Sequence, residues 1–296
     1  MRATTNGTRR SFVAAASALA MIATALVQAV GVTPAAAVTI PVGSVEVVTA
    51  TSGFSPGPSK TLSAVCPASK PRVLGGGFTT TGTHITATEL QPVAGSPVDS
   101  YRVVAGFDEV GTTASWQLLV YAYCSSVAPG WQLVTATSPP TSDPFNQVIV
   151  TCPSGKAVVG TGGRINGGAG QVQLVTQGIG AAGPNRMSAG GLEDLTGFSG
   201  TWSVTGFAVC VTDANPLDIR LVQNQSGGTL NPKTVTATCP SGMRLTGSAI
   251  WTDIPGNAIS LRPNTSTPTS VTGVARNDTG NTTFSWTLIV YALCAL

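Results

Sequence analysis

Ala114-Ser115-Trp116-Gln117-Leu118-Leu119-Val120-Tyr121-Ala122-Tyr123-Cys124 is one of three versions of the same phrase, the others running from Thr201-Trp202 to Cys210 and from Ser285-Trp286 to Cys294. In each, a Trp stands eight residues before a Cys, an Ala two before it and an aromatic ring three before it (Tyr121, Phe207, Tyr291). β-Branched and aromatic residues dominate, and no Gly or Pro interrupts the first and third copies, so the phrase predicts a central β-strand. With a period of two, Trp116, Leu118, Val120, Ala122 and Cys124 share one face and Leu119, Tyr121 and Tyr123 the other, and neither face reads as solvated. A Trp inside such an apolar run is expected in a core rather than as a sugar-stacking platform.

Around this strand the chain repeats, with homologous cysteines 84 to 87 residues apart (Cys66, Cys152, Cys239; Cys124, Cys210, Cys294). Residues 38–128, 129–214 and 215–296 form the three repeats, and residues 1–37 are set apart. In each repeat a strand-like run (Val45 to Thr51, Trp131 to Thr137, Asp218 to Val222) precedes a Pro/Gly/Ser-rich or Asn/Gly-rich loop and a second run ending in Cys-Pro. A Gly-rich third run and two further β-type runs lead to the Trp strand. About six strands per repeat with no helical periodicity predict an all-β protein of three tandem antiparallel sandwich- or barrel-like repeats; the alternative is a single pseudo-threefold, β-prism-like domain.

Residues 1–37 read as an export signal: Arg2, Arg9 and Arg10 precede an uncharged Ala-rich run and Ala35-Ala36-Ala37, which predicts cleavage before Val38. Thr8-Arg9-Arg10-Ser11-Phe12-Val13 resembles the twin-arginine motif, with Thr for the usual leading Ser and Ala14 for the Lys. No later run is long and apolar enough to span a membrane, so a secreted protein is expected. Cleavage leaves twelve basic and twelve acidic residues, scattered singly, which argues against nucleic acid as a partner.

Cys152-Pro153-Ser154-Gly155 and Cys239-Pro240-Ser241-Gly242 predict type I turns with Pro second and Gly fourth. Cys66-Pro67-Ala68-Ser69, with an extra residue at Pro71, predicts a looser one. The third strands carry Gly75-Gly76-Gly77, Gly160 with Gly162-Gly163, and Gly247. A phosphate-cradling loop requires a helix directly after it, and the next residues here are β-branched and alternating, so the glycines predict a bulge or a close strand crossing.

Six cysteines in an exported chain imply disulfides, for which sequence alone allows 15 pairings. Repeat symmetry leaves two: closure within each repeat (Cys66–Cys124, Cys152–Cys210, Cys239–Cys294), or a ring joining neighbours. The first is favoured because it needs no contact between chain ends, and each bridge would contribute about 4 kcal/mol. Cys-Pro-x-Gly-Lys, a Gly-rich strand and a Trp strand ending Tyr-Ala-x-Cys resemble secreted repeat proteins of Gram-positive bacteria, a resemblance that implies no assigned activity. A more distant likeness is to vitelline membrane outer layer proteins, three-repeat β-prisms with Cys-Pro-x-Gly; their Gly-Asp-Asp-Thr-Ala-x-Asn signature is missing here, and no site is carried over.

His84 is the single histidine and is expected on the surface or an edge strand, no Cys-x-x-Cys occurs, and no carboxylate pair stands out. The reading is therefore a protein that is not an enzyme and needs no cofactor or metal. One polar feature keeps the repeat: Asp108, Asp194 and Asp278, each eight residues before the Trp, in turns rich in Gly and Thr. They are expected to hydrogen-bond their own turns, or alternatively to form a triplicated ligand site for sugar hydroxyls or Ca²⁺. Asn224, Asn264, Asn277 and Asn281 lie in glycosylation sequons, expected to stay unmodified behind a bacterial-type signal. The expected function is a secreted binding or surface protein that engages polysaccharide; a coat or matrix protein, a protein-directed inhibitor and a glycoside hydrolase are the alternatives.

Overall fold

Each repeat delivers six strands. In repeat 1 they are β1 (Val45–Thr51), β2 (Ser59–Val65), β3 (Arg72–Thr80), β4 (Ile85–Val93), β5 (Ser100–Phe107) and β6 (Leu118–Ser125). In repeat 2 they are β7 (Gln132–Thr137), β8 (Phe145–Thr151), β9 (Lys156–Asn166), β10 (Val172–Gly178), β11 (Arg186–Glu193) and β12 (Ser203–Thr212). Repeat 3 supplies β13 (Ile219–Ser226), β14 (Lys233–Thr238), β15 (Arg244–Thr252), β16 (Gly256–Pro263), β17 (Ser270–Asn277) and β18 (Leu288–Ala295). The structure, a computed structural model, describes residue 40 and residues 44–296 apart from 83, 109–110, 112, 169, 179–183, 195, 213–218, 254–255, 264–267 and 278–284. Ala37–Leu296 is one compact unit, beginning at the last residue of the predicted signal.

The strands form three six-stranded antiparallel sheets, none confined to one repeat: β1-β6-β3-β16-β17-β14, β13-β18-β15-β10-β11-β8 and β2-β5-β4-β9-β12-β7. Within a repeat, the first, sixth and third strands lie in one sheet and the second, fifth and fourth in another, and these halves pack face to face, β2 on β1 and β6, and β5 on β3 and β6. Each repeat is thus a three-on-three sandwich, as the sequence suggests, while its sheets run on into both neighbours. The single pseudo-threefold arrangement and the sandwich repeats are two descriptions of one body.

The repeats join where the third strand of one pairs the fourth of another, Leu261 opposite Phe78, Leu90 opposite Gly163 and Thr176 opposite Trp251. Each third strand is bulged, at Leu74, Val159 and Thr246, next to Gly75, Gly160 and Gly247. A Cβ on Gly75 would stand 2.8 Å from the Thr246 carbonyl oxygen and 2.9 Å from the Gly247 Cα. One on Gly247 would stand 2.9 Å from the Gly160 Cα, and one on Gly160 would overlap the Leu74 carbonyl and stand 3.0 Å from the Gly75 Cα. The three backbones therefore touch in a closed ring that no side chain could enter, so the glycines serve both a bulge and a close crossing.

One residue beyond, the ring acquires hydrogen bonds between repeats. The Ser248 hydroxyl donates to the Gly76 carbonyl (2.7 Å) and the Thr161 hydroxyl to the Ser248 carbonyl (3.2 Å). Gly76 occupies the third equivalent position and has no hydroxyl; a Cβ there would collide with the Tyr101 ring, whose own hydroxyl donates to the Thr161 carbonyl (3.2 Å). Tyr123 closes the set by donating to Ser248 Oγ at 3.1 Å. Burial pushes both tyrosine hydroxyls above their ordinary pKa; the neighbouring Tyr123 adds to the shift of Tyr101, and the Ser248 contact opposes that of Tyr123.

Disulfides join Cys66 to Cys124, Cys152 to Cys210 and Cys239 to Cys294, with Cα atoms 5.6, 5.7 and 5.7 Å apart. Because the two cysteines of a repeat belong to different layers, each bridge staples a different pair of sheets. Three disulfides and no free cysteine fit an oxidising, extracellular-type environment. Among the described residues no helix is long and apolar enough to cross a membrane.

The Cys-Pro turns differ from expectation. The closing bonds run from Lys156 N to Pro153 O and from Met243 N to Pro240 O, so Pro is first and Gly third. Gly155 and Gly242 have φ of 75° and 86°, as the third position of a type II turn requires. The turn of repeat 1 is not looser, since Lys70 N reaches Pro67 O at 2.9 Å. Its extra residue is accommodated by Asp99, fully buried, whose carboxylate accepts from Val73 N (3.1 Å), Gly95 N (3.0 Å) and Arg72 (3.3 Å). In the other repeats the bond equivalent to that from Val73 is taken by the Pro184 and Pro268 carbonyls.

Gly160→Ala is expected to cost about 3 kcal/mol or more, at or above the usual range for overpacking. Gly53→Ala, with nothing within 4 Å of the added atom, should stay within about 0.5 kcal/mol. Urea midpoints of the two variants check this. Because Tyr101 and Tyr123 ionise more readily unfolded than folded, their contribution is complete below pH 10 and is lost as pH rises beyond it. Stability should fall above pH 10 by up to about 1.4 kcal/mol per pH unit for each, and a Tyr101→Phe/Tyr123→Phe protein should show a flatter decline in the same titration.

Candidate functional site

At one end of each sandwich the loop before its second strand closes on the repeated Trp, through Ser55, Thr141 and Gly228. Trp116, Trp202 and Trp286 are 0%, 1% and 1% exposed, which makes them core residues as their setting predicts. Trp116 and Trp202 stand just before their strands rather than in them, held in bridges to Ser55 and Thr141. Each loop is also pinned by a long polar side chain at the start of the second strand: Lys60 donates to Gly53 O (3.0 Å), Asn146 to Pro139 O (3.0 Å) and Lys233 to Gly228 O (2.7 Å). The ammonium groups of Lys60 and Lys233 lie 5.0 and 4.7 Å above the rings of Trp116 and Trp286. Burial lowers the Lys233 pKa, against the opposing pull of Asp253.

The indole nitrogens distinguish the repeats. Trp116 donates to the Gly57 carbonyl (2.8 Å) and Trp286 to that of Leu230 (3.1 Å), whereas Trp202 donates to the carboxylate of Glu193 (2.9 Å). The other Glu193 oxygen accepts from Phe198 N at 3.1 Å, so a side chain in a residue only 7% exposed is held entirely by neutral donors. Beside it lies a shallow, open depression of about 490 Å³ lined by Gln171, Glu193, Thr196, Gly197, Phe198 and Ser199. The Gln171 amide closes one wall by donating to the Gly197 carbonyl (2.7 Å) and Thr196 Oγ1 (3.0 Å). Aromatic, amide, hydroxyl and carboxylate groups thus face one open space, a composition suited to a polyhydroxylated ligand.

The candidate aspartates build turns. Asp194 Oδ1 accepts from Thr196 N (2.9 Å), Thr196 Oγ1 (2.7 Å) and Gly197 N (3.0 Å), and so fixes the lip of the depression without lining it. Its Oδ2 is buried without a partner. Asp108 accepts from Gly111 N at 3.0 Å and contacts His84 Nδ1 at 2.9 Å. His84 itself is half-exposed in the bend before β4, with a φ of 60°, rather than in an edge strand. Asp278 lies outside the described residues. The described aspartates share the turn but not their surroundings, since Gln171 and Glu193 stand where repeat 1 has His84 and Phe107. No cluster of three or more His, Cys, Asp or Glu that could hold a metal occurs among the described residues.

Glu193, Gln171 and Phe198 escape a reading based on repetition because they belong to repeat 2 alone; the one signal is an acid directly before the repeated Asp, Glu193, where the other repeats have Phe107 and Asn277. No family model matches the chain, and no curated protein matches it.

Asp194→Asn keeps the accepting oxygen and should change stability by less than about 1 kcal/mol, while Asp194→Ala strands the turn amides and should cost about 1–2 kcal/mol. Chemical denaturation of both variants measures the difference. Equal losses would mean that the carboxylate charge, not the turn bonds, holds the loop.

Proposed function

We propose that the chain is a secreted, non-enzymatic binding or surface protein whose ligand is extracellular polysaccharide. The observation that carries this reading is the open depression of repeat 2, where the Phe198 ring, the Gln171 amide, the Thr196 and Ser199 hydroxyls and the Glu193 carboxylate face one space. Sugars are bound by such mixtures, an apolar ring under a ring face and directional polar groups for hydroxyls. Two features favour binding over turnover. Both Glu193 oxygens are engaged by N–H donors, from Trp202 and Phe198, which hold the group as a fixed acceptor. The disulfide-stapled body also suits a protein that works outside the cell.

The test is retention of the exported protein on insoluble polysaccharides, beside an array of soluble glycans and with analysis of released products. Retention without released sugar is the expected outcome, with Phe198→Ala weakening it about tenfold or more. Released sugar would make the protein a glycoside hydrolase, and no retention on any glycan would leave a coat or matrix role.

A further inference from the structure

The outward faces of the three sheets differ in charge and in how they treat one ring. The aromatic residue three before the last Cys of each repeat points outward, away from the disulfides. In the sheet containing β12, Phe207 is 4% exposed, with the Arg164 guanidinium 5.9 Å above its ring, and Arg102 and Glu89 pair close by at 2.6 Å. In the sheet containing β6, Tyr121 is 2% exposed. In the sheet β13-β18-β15-β10-β11-β8 the equivalent Tyr291 is only half-buried, and so is Trp251 on the neighbouring strand.

These two rings stand on one face. Trp251 is opposite Ile289 on β18, and Tyr291 lies two residues beyond Ile289. The exposed amides of Gln223 and Gln225 lie opposite Tyr291 and Ile289 on β13. Across the sheet the Tyr291 ring reaches Gly178, where an added Cβ would be in ordinary contact with it at 3.4 Å. Toward the edges the same face carries Leu221 (42% exposed), Phe145 (44%) and Ile149 (55%), three of the seven large hydrophobic side chains that the described surface exposes. Of the middle strands, β18 and β10 present no charged residue on this side and β15 only Arg244 at its start, opposite Ala295; on β11 the exposed Arg186, two residues before Ser188, lies on it too.

We infer that this face is an extended binding platform for a neutral polysaccharide chain, with Trp251 and Tyr291 stacking on sugar rings and Gln223 and Gln225 holding hydroxyls. The inference rests on the polysaccharide reading above and locates the body of the polymer. A face whose centre is uncharged, with half-buried rings and exposed amides, complements an uncharged polyol; an anionic polymer or a nucleic acid would meet counter-charge only at Arg186 and Arg244, away from the two rings. Six strands place the outer two about 24 Å apart, room for several sugar units in a row. The depression of repeat 2 opens at the ends of β10 and β11, two strands of this same sheet.

The experiment compares the exported wild-type protein with Trp251→Ala, Tyr291→Ala and Phe198→Ala for retention on microcrystalline cellulose and chitin, with affinity for soluble oligosaccharides of the same polymers. Near-ultraviolet circular dichroism reports integrity of the fold, and Trp251→Phe, which keeps a ring, covers the case in which the alanine variant misfolds. The expected result is at least a tenfold loss of affinity in Trp251→Ala and Tyr291→Ala, with substantial recovery in Trp251→Phe. Wild-type retention that survives both alanine variants overturns the platform and leaves the polysaccharide reading intact, the more so if Phe198→Ala abolishes it. No wild-type retention on any polysaccharide overturns both. Sedimentation showing a dimer that Trp251→Ala dissolves would assign the face to a second copy of the chain instead.

Discussion

Contact between three bare backbones, at Gly75, Gly160 and Gly247, is the constraint on which the other features depend. Each third strand abuts the bulged residue of the next repeat's third strand, so the contacts run once around and close. A ring of this kind has no spare member: removing one repeat would leave two sheets without half of their strands and the remaining glycines facing solvent. This separates the protein from linear repeat arrays, where each unit touches only its neighbours and stability is close to a sum. Here the disulfides close three sandwiches, and because each joins a different pair of sheets, the same bridges that tie repeats to themselves tie the sheets to one another.

The polar ring beside the glycines shows how pseudo-symmetry is kept where sequence has diverged. Two hydroxyls, on Ser248 and Thr161, reach carbonyls of neighbouring repeats; the third position is Gly76, and the carbonyl left over is met by the Tyr101 hydroxyl from another strand. An unpaired carbonyl in this setting would carry a desolvation cost of about 1–3 kcal/mol, enough to explain why the bond persists although its donor has moved. A glycine at 76 and a tyrosine at 101 therefore form one solution, since the ring lies where a Cβ on residue 76 would have to go.

Whatever repeats locally is legible in the sequence. The Trp-to-Cys spacing marks the central strands and their buried rings, the cysteine symmetry narrows fifteen pairings to two, and glycines with no helix after them point to a bulge or a crossing. The sharing of sheets is hidden, because alternation tells which face of a strand is buried and not which strand, from which repeat, lies beside it. Turn chemistry reads one residue out of place at Pro153 and Pro240 because Pro and Gly satisfy more than one turn type, and only the positive φ of Gly155 and Gly242 decides between them. Trp251 carries no sequence signal for a related reason: it gains meaning only from the register that sets it on the same face as Tyr291.

That last pair bears on how such a scaffold acquires a function. Tyr121, Phe207 and Tyr291 occupy one position of the repeat, yet two are sealed and one is left open, and the difference comes from neighbours on other strands. Arg164 covers Phe207, while the described positions across the sheet from Tyr291, Ala249 and Gly178, carry no side chain large enough to cover its ring. Three identical weak sites would gain by avidity only if one ligand could span them. A single widened face gains contact area without that requirement, and it arises by losing side chains above a ring that the fold already supplies. Under the platform proposed above, divergence among the repeats, rather than repetition itself, is the source of specificity, with the closed backbone ring holding the three sheets in place while their outer faces change.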